Sequence, residues 1–339
     1  MSDKMKISVI IPAFNNADTI SRAVDSALSQ TLEPLEIIVV DDCSTDKTID
    51  VLKGFEGRIR LLQRDQNRGP GAARNDGIKA MAGEWAAFLD GDDEWARDKL
   101  EMQTLFLKHN PELVWCGTNY SIKKNGLQNT SISKTEGEVK GEYFSLMNKG
   151  LCSSSTITLM IKADVFAVSG LFEPQVYRNE DRDLYWRIAM DFPEYGFINK
   201  PLSVQYMGRG SEEAMAKRAA AKDGRYLFPL IDRSLENARR KGRLEKFRPF
   251  AGKIVRNAML SMAFLELWKP FGKSGEKYSH LLPVHYKALL CLCRSVPFSS
   301  PAMRCAYRIL KLAGLTGSDR FLDYWKYIKA NGLPAEVQE

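Results

Sequence analysis

The run Glu36-Ile37-Ile38-Val39-Val40 is almost wholly apolar and stops abruptly at Asp41-Asp42-Cys43-Ser44. A short strand with no polar alternation is one covered on both faces, as in a parallel sheet with helices above and below. The same beat repeats on either side of it. Lys6 to Ile11 is a β-rich run, and Ala17 to Gln30 carries Ile20, Ala23, Val24, Ala27 and Leu28 at helical spacing. Downstream, Thr45 to Phe55 predicts a helix, with Ser44 or Asp46 as its cap. Arg58 to Gln63 predicts a third strand, Gly71 to Met81 a third helix and Trp85 to Leu89 a fourth strand. Strict alternation of this kind predicts an α/β, Rossmann-like, mostly parallel sheet flanked by helices.

Ligands of such sheets bind at the carboxyl ends of the strands. Polar residues should therefore collect there, and they do. The first strand ends at Pro12-Ala13-Phe14-Asn15 and the second at Asp41-Asp42. The third connection carries Asn67-Arg68-Gly69-Pro70-Gly71, and the fourth strand ends at Asp90-Gly91-Asp92-Asp93. Four consecutive strand ends point polar groups at one edge, which predicts a binding site.

Each group suits a portion of one ligand. Two carboxylates one residue apart, Asp90 and Asp92, are hard oxygen ligands for Mn²⁺ or Mg²⁺, with a diphosphate completing the shell. Taken alone the pattern is weak, because acidic loops are common. Asp42 is placed to accept hydrogen bonds from a base or ribose lying across the strand ends. Arg74, beside a glycine-rich turn, offers a guanidinium to a diphosphate; its plain alternative is a surface ion pair with Asp76 or Glu84.

Four ordered motifs then resemble a known family. They are Ile7-Ser8-Val9-Ile10-Ile11-Pro12-Ala13-Phe14-Asn15, Ile37-Ile38-Val39-Val40-Asp41-Asp42-Cys43-Ser44-Thr45-Asp46, Asn67-Arg68-Gly69-Pro70-Gly71-Ala72-Ala73-Arg74-Asn75 and Phe88-Leu89-Asp90-Gly91-Asp92-Asp93-Glu94-Trp95. Together they resemble the family 2 inverting glycosyltransferases of the GT-A fold, of bacterial surface-polysaccharide type, over about residues 5 to 205. The resemblance implies that Asp42 reads the nucleobase, that Asp92 binds the metal with Asp90 in support, and that Pro12, Ala13, Phe14, Asn15 and Arg74 line the nucleotide pocket. It implies a later acidic pair as well. Glu180-Asp181, opening a helical run through Met190, fits it, with Asp181 as general base and Glu180 as helper. The chemistry asks for such a group, since an acceptor hydroxyl is a poor nucleophile until a carboxylate takes its proton. The Q-x-x-R-W signature of the polymer-forming members is not found in this sequence, so a single-addition hexosyltransferase using a nucleoside-diphosphate sugar, UDP-linked, is expected.

Two domains are expected. Residues 1–210 are catalytic, with nucleotide-sugar binding over 1–110 and acceptor binding over 111–210; residues 211–339 are helical and basic. Between Asn237 and Lys311 sixteen basic residues face only Glu245, Glu266 and Glu276, a local surplus of +13 in a chain of net charge +7. Arg304, Arg308 and Lys311 lie on a different helical face from Met303, Ala306, Tyr307 and Leu310, and Phe321, Tyr324, Trp325 and Ile328 repeat the apolar spacing. Such helices read as membrane-surface elements. The alternative is a bundle packed on the catalytic domain or on a second copy of the chain. The expected location is cytoplasmic, peripheral on the inner face of the membrane, with a lipid-linked glycan as acceptor. Nucleic acid is not an expected partner, because no binding module accompanies the charge. No stretch reaches the roughly 18 to 20 apolar residues of a spanning helix, no signal peptide is read at the start, and six scattered cysteines with three histidines give no zinc or disulfide pattern. Two rivals remain: a nucleotidyltransferase, which would want a lysine-bearing glycine-rich loop after the first strand, and a non-catalytic member that binds membrane or partner proteins.

Overall fold

A computed structural model gives the fold, described for residues 4–124, 127–130, 135–174, 176, 179–207, 226–264 and 277–282. The first half is the predicted alternation: β1 (Ile7–Ala13), α1 (Ile20–Leu28), β2 (Glu36–Asp41), α2 (Thr48–Lys53), β3 (Arg60–Gln63), α3 (Pro70–Ala80) and β4 (Trp85–Phe88). All seven residues of β1 and the last five of β2 are buried, as strands covered on both faces must be. The side chains divide between two layers. Ile37 and Val39 join Ile20, Ala23, Val24 and Ala27 of α1, while Ile38 and Val40 meet Ala73 of α3.

The second half is less regular. It adds β5 (Glu94–Trp95), α4 (Lys99–His109), β6 (Trp115–Lys124), β7 (Leu127–Thr130), β8 (Glu138–Glu142), α5 (Tyr143–Lys149), β9 (Met160–Lys162), α6 (Ala163–Ser169), α7 (Glu180–Asp191) and β10 (Glu194–Met207). All these strands join one sheet in the order β3-β2-β1-β4-β9-β6-β10-β5, with β7 on β6 and β8 on β10. β3, β2, β1 and β4 run parallel; β9 is antiparallel to both β4 and β6 and joins the halves. The fold is the GT-A type of α/β sheet. β6 and β7 pair as antiparallel neighbours; Asn125 and Gly126, which the sequence marks as a turn signal, lie outside the described set. Beyond the sheet, α8 (Leu227–Arg240) and α9 (Leu244–Phe264) are helical as expected. The amphipathic segments at 303–311 and 321–328 lie outside the described residues. No helix among the described residues is long and apolar enough to cross a membrane.

Several boundaries shift from the sequence reading by a residue or a few, and one of them bears on the site. The helix expected from Thr45 starts at Thr48, because Ser44 and Thr45 are tied to the neighbouring loop. Asn15 Oδ1 accepts the Thr45 N–H at 2.8 Å, and Ser44 Oγ accepts the Asn15 N–H at 2.9 Å. Asp46 alone serves the helix start, accepting the Thr48 N–H at 2.9 Å.

The chain divides into two compact units. One holds residues 1–208 together with 232–247; the other holds 209–231 and 248–339. In the first unit Phe247 packs edge-on against Phe144 and Trp186, and Arg233 pairs with Asp183. In the second, Tyr278 stacks on Phe228 and its hydroxyl donates to the Phe228 carbonyl.

Candidate functional site

The ends of β1 and β2 are two tight loops locked to each other. Asn15 and Cys43 both hold left-handed backbone (φ 51° and 65°), a conformation disfavoured for residues with a side chain. The Asn15 latch onto Thr45 holds that geometry in place. Pro12 and Ala13 are buried within β1, whereas the Phe14 ring is 44% exposed beside them. Asp42 is buried and its carboxylate is engaged: it accepts the N–H groups of Arg68 (3.1 Å) and Gly69 (2.7 Å) and pairs with Arg64 at 3.4 Å. It thereby fixes the turn from which α3 starts.

The loop after β4 is pressed against the β1–α1 connection. A side chain at Gly91 would sit 3.0 Å from Asn16 Oδ1 and 3.0 Å from the Pro12 carbonyl, so any larger residue would press these neighbours back by a few tenths of an ångström. The Thr19 hydroxyl donates to the Gly91 carbonyl at 2.9 Å, and Arg22 donates to the Asp92 carbonyl at 2.5 Å. Three carboxylates crowd here. Although the residue keeps an exposed face, the protein packed around its carboxyl displaces water, and this, then the charge on Asp90, raises Asp92 above its ordinary range. Burial, with Asp90 and Asp92 alongside, pushes Asp93 up to about 9. Asp93 faces inward, accepting the Tyr206 N–H at 2.9 Å, while Asp92 is exposed.

Arg74 is the hub. It is 4% exposed, donates to Asp90 at 2.5 Å and reaches Glu180 at 3.7 Å. Its pairing with Asp76 or Glu84 is therefore not what forms; Asp76 pairs with Arg64 and Glu84 with Lys6. Burial works against the guanidinium charge, and Asp90, aided by Tyr185 and Glu180, outweighs it, so Arg74 stays a firm cation. Its Nε and Nη1 have no hydrogen-bond acceptor, which leaves donors for a phosphate.

Glu180 and Asp181 open α7, where negative charge is favoured by the helix dipole. Burial, then Asp181, raises the Glu180 carboxyl. Asp183 differs from both: it is buried between Arg187 (2.9 Å) and Arg233 (3.2 Å) and holds the helix in place. The site therefore joins Asp90, Arg74 and Glu180 directly. Phe14, Asn15 and Asp42 make none of these contacts; Asn15 is tied to Ser44 and Thr45, and Asp42 to the turn at Gly69.

The family model described as glycosyl transferase family 2 matches residues 8–165. The chain carries a family 2 glycosyltransferase domain. Among similar proteins, the succinoglycan biosynthesis protein ExoO of Rhizobium meliloti is 47% identical over 95 residues, covering 28% of this chain and 27% of that protein. The UDP-Glc:alpha-D-GlcNAc-diphosphoundecaprenol beta-1,3-glucosyltransferase WfgD of Escherichia coli is 35% identical over 161 residues, 47% of this chain and 61% of that one. The chain thus spans under two thirds of either relative's length. The crystal structure of S. aureus TarS 1-349 in complex with UDP-GlcNAc superposes with a TM-score of 0.62 at 19% identity, over 86% of this chain and 88% of that one. At that identity the likeness speaks for the fold.

A divalent cation is implied for a family 2 domain, and the residues present fit one incompletely. Among the described residues no three of His, Cys, Asp and Glu form a ready cage. The Asp90 and Asp92 carboxylates are hard donors whose crowding raises the Asp92 carboxyl, which suits a cation that takes its remaining ligands from a diphosphate. Several residues of this site escaped the sequence reading. Phe172 and Tyr206 have no local motif and only the fold brings them in, whereas Asn75 closes the third motif and Tyr185 follows the Glu180-Asp181 pair without a role being read for either. Asn16 and Thr19 were within reach, since they adjoin the Pro12–Asn15 loop.

Proposed function

We propose that the chain is an inverting glycosyltransferase that moves a sugar from a UDP-sugar to an acceptor hydroxyl, with residues 1–210 as the catalytic domain. One observation carries the reading: Arg74 holds Asp90, from the donor-side loop, and Glu180, from the acceptor-side helix, on one guanidinium. A donor seated at the strand ends would lie against Phe14 and the Asp42 turn, with its phosphates toward Arg74. Asp90 and Asp92 would hold Mn²⁺ or Mg²⁺, which when bound neutralises charge growing on the departing diphosphate. Asp181 accepts the proton of the attacking hydroxyl as general base, and Glu180 shapes the field around it. Attack in line with the departing diphosphate inverts the anomeric carbon without a covalent intermediate.

The acceptor we propose is a lipid-linked glycan of surface-polysaccharide assembly. Support comes from WfgD, whose name specifies a diphosphoundecaprenol acceptor, and from the basic surplus in the helical region, 211–339, which suits an anionic membrane surface. Calorimetric titration of UDP, with and without Mn²⁺, tests the donor site. Metal-dependent binding that Asp92→Ala abolishes supports it. Absence of binding to UDP, GDP and dTDP alike would sink the transferase reading.

A further inference from the structure

On α3 the residues at 71, 74 and 75 share one face, and all three press on the acceptor side of the site. Asn75 is buried, and its carboxamide is spent on the backbone of a single residue 97 positions away. Nδ2 donates to the Phe172 carbonyl at 2.8 Å, and Oδ1 accepts the Phe172 N–H at 2.9 Å. A side chain thus closes the two-bond ring that a strand neighbour would close. The Phe172 ring packs edge-on against Phe88 of β4, 6.0 Å between centroids, directly before the Asp90 loop. One turn earlier, a side chain at Gly71 would sit 3.2 Å from Glu180 Cγ and 3.4 Å from Phe172 Cβ. From the other side Arg187 donates to the Ser169 carbonyl and, at 2.6 Å, to the Leu171 carbonyl. The stretch 169–172 that leads toward α7 is pinned at both ends by α3 and α7 themselves.

We propose that Asn75 is a positioning residue for the reaction, setting where Glu180 and Asp181 stand relative to Asp90 and Asp92. The inference rests on the transferase reading above. Among the described residues no helical or sheet hydrogen bond ties Phe172 to α3; the Asn75 carboxamide is the polar tie. Loss of it should let the start of α7 shift without disturbing the β1, β2 and β4 strand ends, which are held by Asn15, Asp42, Thr19 and Arg22. A misplacement of about 1 Å between reacting groups costs on the order of a hundredfold in rate.

Asn75→Asp separates this role from general destabilisation. The carboxylate still accepts from the Phe172 N–H but meets the Phe172 carbonyl with a lone pair; protonated, it donates there as the amide does. UDP release from UDP-glucose and from UDP-GlcNAc, with water as acceptor, would be followed together with calorimetric UDP·Mn²⁺ binding and hydrogen exchange. For Asn75→Asp we expect kcat to fall roughly tenfold to a hundredfold, with donor KM and UDP affinity within about twofold. The ratio of its kcat to the wild-type value should climb as pH falls from about 8 to about 5.5, as the buried carboxyl takes up its proton. Amides of 171–183 should exchange faster, and those of β1 and β2 should not. Gly71→Ala, which pushes on Glu180 directly, should show the same kcat loss without pH rescue, and it stands in if Asn75→Asp does not fold. Unchanged kcat in both variants, or parallel loss of UDP affinity and of protection throughout the sheet, would overturn the positioning role while leaving the transferase reading intact. Wild-type protein that neither binds UDP nor releases it from either donor would remove both.

Discussion

Lys99 is wholly buried, its ammonium group 2.7 Å from Gln103 Oε1 and 4.0 Å from the centre of the Trp95 ring. Burial lowers its pKa to about 7. The sign of the consequence follows. Above pH 7 the folded chain holds Lys99 neutral while the unfolded chain still binds the proton up to about 10.5, so stability from this residue rises with pH across that window and is flat below it. Relative to wild type, Lys99→Met should therefore gain most at and below pH 7. That advantage should shrink by about 1 kcal/mol per pH unit toward pH 9, read as denaturant midpoints of the two proteins at each pH. A difference independent of pH would mean that Lys99 is not neutral in the fold. Nothing in the sequence singled out Lys99, because a lysine opening a helix reads as solvated. By contrast Asp42, Asp90 and Asp92 could be singled out as candidates, since each follows a strand whose apolar run marks its own end, and Arg74 because it lies just after a glycine-rich turn. What the sequence could not say is that Asp42 turns to the backbone of Arg68 and Gly69, or that Arg74 faces two acids; both depend on how loops fold over one another.

Among the elements, β10 is packed tightly against α4. A side chain at Gly196 would fall 2.3 Å from the Phe106 ring of α4 and 2.8 Å from Leu113. Gly196→Ala should cost about 1–3 kcal/mol, as overpacked cores do. Combining it with Phe106→Leu should cost less than the sum of the two single changes, because the smaller side chain vacates the contested space. Urea unfolding of the four proteins in the cycle reads this directly; strict additivity would show that the sheet shifts to accommodate the methyl. The parallel half of the fold could be read almost element by element, since β1 and β2 are continuous apolar runs and α1 keeps helical spacing. The second half resisted. β9 is three residues long, and β5 only two, too short for any period to show. Their place is set by pairing with strands far away in sequence.

At the scale of the molecule, the segment 232–247 returns to the first unit after an excursion through the second. Phe247 covers Phe144 and Trp186, Arg233 answers Asp183, and Lys241 answers Asp191. A chain ending at residue 210 would expose that aromatic face and leave Asp183, which is buried, and Asp191 each short of one partner. It should melt several degrees below the full chain, at about 2–4 °C for each 1 kcal/mol lost in a domain of this size, by calorimetry; equal melting would show the return to be dispensable. No local pattern announces this return, because a phenylalanine in an amphipathic helix looks the same whichever neighbour it covers.

The strand order has one more consequence, for the chain as it is made. β4 pairs on one side with β1, but its other neighbour is β9, so that edge stays open from the moment Trp85–Phe88 leave the ribosome until Met160–Lys162 follow. An apolar, wholly buried strand is thus presented unpaired throughout the synthesis of everything between. Translation pauses inside that interval, or scarcity of chaperones that shield nascent chains, would expose the protein to aggregation at this edge, and rapid delivery of three residues would end the hazard.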